Sequence, residues 1–216
     1  MLQQNPDNFS LIETILWENN ELFLLDLHLK RLQKSAKALS FSFNNEAVLF
    51  NLKKEVNSFV FDKKYRIRLL LDTNGNVQIS SYLLNTITEY PVKIKLSHKK
   101  TDKNDIFLYH KTTNRSLYEK DLSKYQKTGF FDVIFTNQNN EITEGAITNI
   151  LIQKNREYLT PPLTCGLLNG TYREFLLKYK TFPLTEKVLY KQDIVFADRI
   201  FLINSVRKFV PAVFVE

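Results

Sequence analysis

The sequence predicts an α+β protein of two lobes, and three observations carry that prediction. Apolar residues recur with strand spacing in some segments and with helical spacing in others. The two kinds follow one another without the strict strand–helix–strand rhythm of a parallel sheet, so the sheets should be antiparallel or mixed. Pro91, after "NTITEY", closes a first αβ half before a fresh strand begins. The expected division is a small N-terminal lobe at 1–85, a linker at 86–91 and a larger lobe at 92–216.

"FSLIETILWENNELFLLD" reads as two strands joined at Asn19-Asn20, residues that suit a tight hairpin turn. From Leu25 the spacing becomes helical, with Leu25, Leu29, Leu32, Ala36 and Leu39 on one face. A second helix follows Asn44-Asn45 and turns Val48, Leu52, Val56 and Phe59 inward. "KYRIRLLLDTNGNVQISSYLL" is a hairpin around Asn74-Gly75, the strongest turn signal in the chain. After Pro91, "VKIKLS" opens the second lobe, which holds the strand pairs "FDVIFTNQNNEITEG" and "ITNILIQKNREYLT". The helix "GTYREFLLKY" and the terminal strands "DRIFLINSV" and "FVPAVFVE" complete it.

Composition narrows the function classes. Hydrophobic residues at 44% and charged residues at 25% are an ordinary globular balance. No apolar run approaches a membrane span, and "MLQQNPDNFS" lacks signal-peptide character, so no membrane association is expected. A single cysteine, Cys165, excludes an internal disulfide framework and fits a reducing, cytoplasmic setting. Three scattered histidines offer no zinc spacing, and no metal is expected. The formal charge of +7 comes from lysine pairs spread along the chain, which read as solvated faces rather than a nucleic-acid surface. Such a balance helps to gather an anionic small molecule.

Four segments could carry chemistry. In "DIFLYHKTTNRSLYEKD", Lys111 lies in a polar turn between an apolar run and a helical segment; this suits an exposed lysine or one that bonds covalently to a carbonyl. The second role requires a lysine that loses its proton readily, through desolvation or a neighbouring cation such as Arg115. In "NNEITEGAITNILI", Glu144-Gly145 follows a turn and Asn149 precedes an apolar strand. In "CGLLNGTYREFLL", a turn at Asn169-Gly170 opens a helix whose first amides, those of Thr171 and Tyr172, can meet an anion. In "HLKRLQKSAK", Arg31 could add a bidentate contact to the same anion, or lie on the helix surface.

The segments "IETILWENNELFLLDLHLKRLQKSA", "YHKTTNR", "EITEGAITNILI", "TPPLTCGLLNGTYR" and "FLINSVRKFVPA" resemble, in order and over nearly the whole chain, the class-IV aminotransferase family of fold-type IV pyridoxal-phosphate enzymes. The resemblance implies pyridoxal 5'-phosphate as cofactor and Lys111 as its covalent anchor. It implies Glu144 facing the pyridine nitrogen, Asn149 in the cofactor shell, and a phosphate cup of Arg31, Thr171, Tyr172 and Ser205.

Within the family, the segments look most like the lyase members that convert 4-amino-4-deoxychorismate to 4-aminobenzoate and pyruvate for folate biosynthesis. On that likeness Thr14, Tyr109 and Arg207 are candidate substrate contacts. A homodimer and an association with aminodeoxychorismate synthase are further implications. Ser116 stands where aminotransferases of this fold often carry tyrosine, which favours the lyase. Asn169 stands where proline is common, and the usual first strand is short or absent. Alternatives are a branched-chain or D-amino-acid aminotransferase, and a catalytically silent binding protein on the same scaffold.

Overall fold

The computed structural model describes residues 9–180 and 182–216. The chain divides into two units: Met1–Thr86 with His110–Asn114, and Ile87–Tyr109 with Arg115–Glu216.

In the first unit, β1 (Leu11–Glu18), β2 (Glu21–Leu22), β3 (Tyr65–Leu71) and β4 (Val77–Leu83) form an antiparallel sheet in the order β2-β1-β3-β4. Asn19 and Asn20 both take positive φ, which lets a two-residue turn match the strand twist. At the second hairpin, Gly75 has φ +89°, and the Asp72 carboxylate accepts from the Asn74 and Asn76 amides. Helices α1 (Leu25–Ala38) and α2 (Asn45–Val56) cover one face. The Asn44 side chain caps α2 by accepting from the amides of Glu46 and Ala47.

Leu32, Ala36, Val48 and Leu52 from these helices meet Leu11, Ile15, Ile67, Leu69 and Leu71 in one core. Leu25, Leu29, Leu39, Val56 and Phe59 sit partly buried around it, as the helical spacing predicts. One charged residue shares this face: Glu13 lies between Leu11 and Ile15 and is 2% exposed.

The second unit carries one mixed sheet, in the order β10-β9-β8-β11-β12-β5-β6-β7. Its strands are β5 (Val92–Thr101), β6 (Asp132–Asn137), β7 (Ile142–Gly145), β8 (Asn149–Lys154), β9 (Glu157–Thr160), β10 (Leu184–Glu186), β11 (Arg199–Asn204) and β12 (Lys208–Phe214). β5 runs parallel to β6 and β12, and β9 parallel to β10; the other pairs are antiparallel. Ile94, Ile134, Ile150, Ile152, Leu202 and Val210 belong to its main core. Helix α3 (Ser116–Gln126) buries Tyr118 and Tyr125 with Val133 and Phe135 of β6. Helices α4 (Thr171–Tyr179) and α5 (Lys191–Val195) complete the unit.

Two expectations need correction. Residues 86–91 are not a separate linker, because the first unit ends at Thr86 and Ile87 already packs on the second unit's core. Lys111 does not belong to the larger lobe, because its segment is held to β1 by backbone pairing. The Ile12 amide donates to the Lys111 carbonyl at 2.8 Å, the Thr113 amide to the Ser10 carbonyl at 2.9 Å, and Leu11 bridges Thr112.

Candidate functional site

The Lys111 segment is more ordered than a polar surface turn needs to be. Thr112 is fully buried, and the Thr113 hydroxyl accepts from the Ser10 amide at 2.9 Å. The Asn114 amide donates to the Thr112 hydroxyl at 3.2 Å, and His110 Nδ1 lies 2.9 Å from Ser35 Oγ on α1. These contacts fix the lysine's Cα while its side chain stays half-buried.

Nearby in the same unit, Arg31 donates through Nε to Glu13 Oε1 at 2.9 Å and through Nη2 to Oε2 at 2.6 Å. His28 Nδ1 meets the same Oε2 at 2.6 Å. Burial alone would raise the Glu13 carboxyl, but Arg31 and His28 outweigh it and hold it down at about 2. His28 is pushed below its ordinary value, first by burial and further by the charges of Arg31 and Lys111, against the pull of Glu13. Thr14 lies on the opposite side of β1 from Glu13, half-buried and paired in register with Arg68.

In the second unit, Glu144 lies next to the end of β7 at 4% exposure, and Tyr118 Oη donates to its Oε1 at 3.2 Å. Burial, followed by the charge of Glu144, raises the Tyr118 phenol well above its usual range, so it stays a donor. Arg115 lies over the Tyr118 ring at 4.8 Å and donates to the Ala146 carbonyl. Asp132 holds the turn from Glu144 to Asn149: it accepts from Thr148 Oγ1 at 2.6 Å, from the Val133 amide at 2.8 Å and from the Ile147 amide at 3.3 Å. Gly145 is required there, since a Cβ would lie 2.3 Å from Asp132 Oδ2.

Three loops of this unit meet around that turn. Asn149 Nδ2 donates to the Leu168 carbonyl at 2.9 Å, tying the turn to the loop before α4. At Gly170 a Cβ would lie 2.1 Å from Asn149 Oδ1, so the backbone must be bare. Gly170 is the N-cap of α4, and no side chain caps the helix, which leaves Thr171 as its first residue rather than its cap. Thr171 and Tyr172 are buried at this helix start. Arg173 pins the preceding turn by donating to Asn169 Oδ1 and the Pro161 carbonyl, with Glu186 as its ion partner.

The third loop follows β11. Asn204 Nδ2 donates to the Ile147 carbonyl at 3.3 Å, while Asn204 Oδ1 accepts from the Val206 and Arg207 amides. Ser205 is buried in this turn and Arg207 half-buried. Glu144, Asn149, Thr171, Tyr172, Ser205 and Arg207 are therefore drawn together by hydrogen-bonded loops. Tyr109 is not tied into that network; its hydroxyl donates to the Lys103 carbonyl at 2.8 Å.

Residues 10–213 match the amino-transferase class IV family. The chain belongs to that family. A Schizosaccharomyces pombe protein provisionally named an aminodeoxychorismate lyase is 32% identical over 207 residues, spanning 92% of this chain and 87% of the relative. A Thermotoga maritima protein named, also provisionally, a branched-chain-amino-acid aminotransferase is 25% identical over 94% of this chain and 76% of its own. The crystal structure of a Mesorhizobium loti protein, described provisionally as an amino-acid aminotransferase, superposes with a TM-score of 0.89 at 31% identity. That match covers 96% of this chain and all of that one.

As a class IV member the chain is a pyridoxal-phosphate enzyme with a fold-type IV architecture. The donor set fits the cofactor. Glu144 is a buried carboxylate suited to a protonated ring nitrogen, and the N-terminus of α4 suits a phosphate. Arg31 is an oriented guanidinium, and Lys111 an amine on a fixed backbone.

Several supporting residues escaped the sequence. Glu13 left a faint signal, a carboxylate in the core-facing alternation of "LIETILW". Asp132 within "FFDVIF" left a similar one. The bond from Tyr118 to Glu144 spans 26 residues, and no local pattern announces it.

Proposed function

We propose that this chain is a 4-amino-4-deoxychorismate lyase that releases 4-aminobenzoate and pyruvate for folate biosynthesis. The observation that carries this reading is the 32% identity, over 92% of the chain, to the S. pombe protein provisionally named for that activity. Ser116, in place of the tyrosine frequent in aminotransferases of this fold, supports it.

Bound pyridoxal phosphate supplies an electron-withdrawing ring that acidifies the carbon next to the substrate amine. Lys111 would hold the cofactor covalently and give way to the substrate amine. Its Nζ then takes the proton from ring carbon C4. Departure of the enolpyruvyl group from C3 leaves an aromatic ring, and Lys111 returns the proton to the enolpyruvate carbon, giving pyruvate. Glu144, oriented by the Tyr118 hydroxyl, would pair with the ring nitrogen. Arg31, the amides of Thr171 and Tyr172 and the Ser205 hydroxyl would hold the phosphate, with Asn149 bracing the loop before α4.

Thr14 contributes a hydroxyl toward the substrate. Arg207 is the stronger candidate for a substrate carboxylate, because the Tyr109 hydroxyl proton is already given to Lys103. The working form is a cytoplasmic homodimer acting downstream of aminodeoxychorismate synthase.

An amino-group transfer is the second reading, favoured by the 31% identity to the M. loti protein. Incubation with enzymatically made aminodeoxychorismate separates the two. Equal amounts of 4-aminobenzoate and pyruvate are expected, whereas glutamate formed from 2-oxoglutarate and an amino donor, with no 4-aminobenzoate, would favour transfer. Lys111→Ala should abolish both turnover and the near-visible absorbance band of the covalently held cofactor.

A further inference from the structure

We infer that Glu13 is the positioning residue for Arg31, clamping the plane of the guanidinium for its contact with the cofactor phosphate. The inference rests on the proposed phosphate role of Arg31.

A carboxylate in the core-facing row of a strand is costly unless it is paired and hydrogen-bonded. Glu13 meets both conditions within one short stretch of α1, since His28 and Arg31 are three residues apart and so face β1 together. The contact with Arg31 is two-pronged, through Nε and Nη2, and this fixes the plane of the guanidinium as a single-point contact would not. A guanidinium has five N–H groups. Glu13 accepts from two of them, one on Nε and one on Nη2.

His28 makes the arrangement rigid. It is fully buried, and an ionised carboxylate can only accept, so the Nδ1 position carries the proton and donates to Glu13 Oε2. That bond prevents Glu13 from rotating away from Arg31. The carboxylate also offsets the arginine's charge, so the phosphate is recognised by the direction of the N–H bonds more than by net charge. The clamp therefore acts on the phosphate and not on the pyridine ring.

That distinction is measurable without any turnover. Apo-protein prepared from the purified holoenzyme is titrated with pyridoxal phosphate and, separately, with pyridoxal, which lacks the phosphate. Glu13→Gln should weaken pyridoxal phosphate binding about tenfold to a hundredfold while changing pyridoxal binding less than about twofold. Thermal unfolding of each variant is followed in parallel. If Glu13→Gln does not fold, Glu13→Asp replaces it, keeping the buried charge but withdrawing it by one methylene, with the same selective loss expected. Equal weakening of both ligands, or no weakening of either, would overturn the inference. Arg31→Lys, which keeps the charge and removes the fork, should reproduce the selective loss. If it leaves the preference for the phosphate intact, the role of Arg31 falls and that of Glu13 with it; if only Glu13→Gln leaves it intact, the clamp alone is refuted.

Discussion

Asp132 is fully buried with no cationic partner among the described residues, and its contribution to stability should be greater in mild acid than at neutral pH. Burial pushes its carboxyl from 3.8 up to about 6, although Thr148 and the amides of Val133, Ile147 and Ala146 pull the other way. A folded state that raises a carboxyl's pKa binds more protons than the unfolded state between the two values. Stability contributed by this group therefore falls as pH rises from about 4 to about 6. At about 1.4 kcal/mol per pH unit, the displacement from 3.8 to about 6 corresponds to about 3 kcal/mol.

Asp132→Asn removes this titration while keeping an oxygen able to accept from the Val133 amide. Urea unfolding of both proteins at closely spaced pH values from 3.5 to 7.5, about one and a half units beyond the window at its upper end, isolates the effect. The stability of wild type relative to Asp132→Asn should drop by about 3 kcal/mol across the window and be flat above it. Parallel curves, or a difference that grows with pH, would refute the reasoning.

Tyr118→Phe keeps the ring against Phe135 and under Arg115 but removes the donor to Glu144. It should cost about 1–3 kcal/mol by thermal unfolding and weaken cofactor binding in equilibrium dialysis. Gly145→Ala drives a methyl into Asp132 Oδ2 and Thr148 Oγ1, and should lose about 1–3 kcal/mol in urea unfolding together with cofactor retention on gel filtration. Asn44→Ala, at the cap of α2 in the first unit, should lower stability by about 1 kcal/mol and leave cofactor affinity unchanged.

Elements defined by local spacing were legible in the sequence. Both Asn-rich hairpins, the inward faces of α1 and α2, and the strand pairs of the second unit follow from alternation, helical period and turn chemistry. What local spacing misses is long-range pairing. Nothing in "YHKTTNR" says that its backbone will pair with Ser10–Ile12, a hundred residues earlier, and so join the first unit. The anchors of the candidate site were hidden for the same reason. Tyr118 reads as one more buried aromatic on α3, and Asn204 as a turn residue, until their partners Glu144 and Ile147 are known. The Arg31 position was legible, but the carboxylate that orients it was not.

Two buried carboxylates, Glu13 and Asp132, follow opposite rules, and the difference tracks what each must hold. Glu13 faces two nitrogen bases and is held down at about 2, so it stays charged throughout the physiological range. A fixed negative charge is what an arginine clamp requires, since a neutral acid could not accept two N–H bonds from Arg31 and one from His28 on equal terms. Among the described residues Asp132 accepts from a hydroxyl and backbone amides, groups that a neutral acid can still satisfy in part. Its carboxyl therefore rises to about 6, and the turn it braces relies on shape and hydrogen bonding more than on charge. Lowering the pH through 6 should loosen the bond to Ile147 before it affects Arg31. Glu13 contributes stability that is present above 4.5 and lost as pH falls toward 2. Mild acid thus acts first on the Glu144 turn, and only strong acid on the clamp at Arg31.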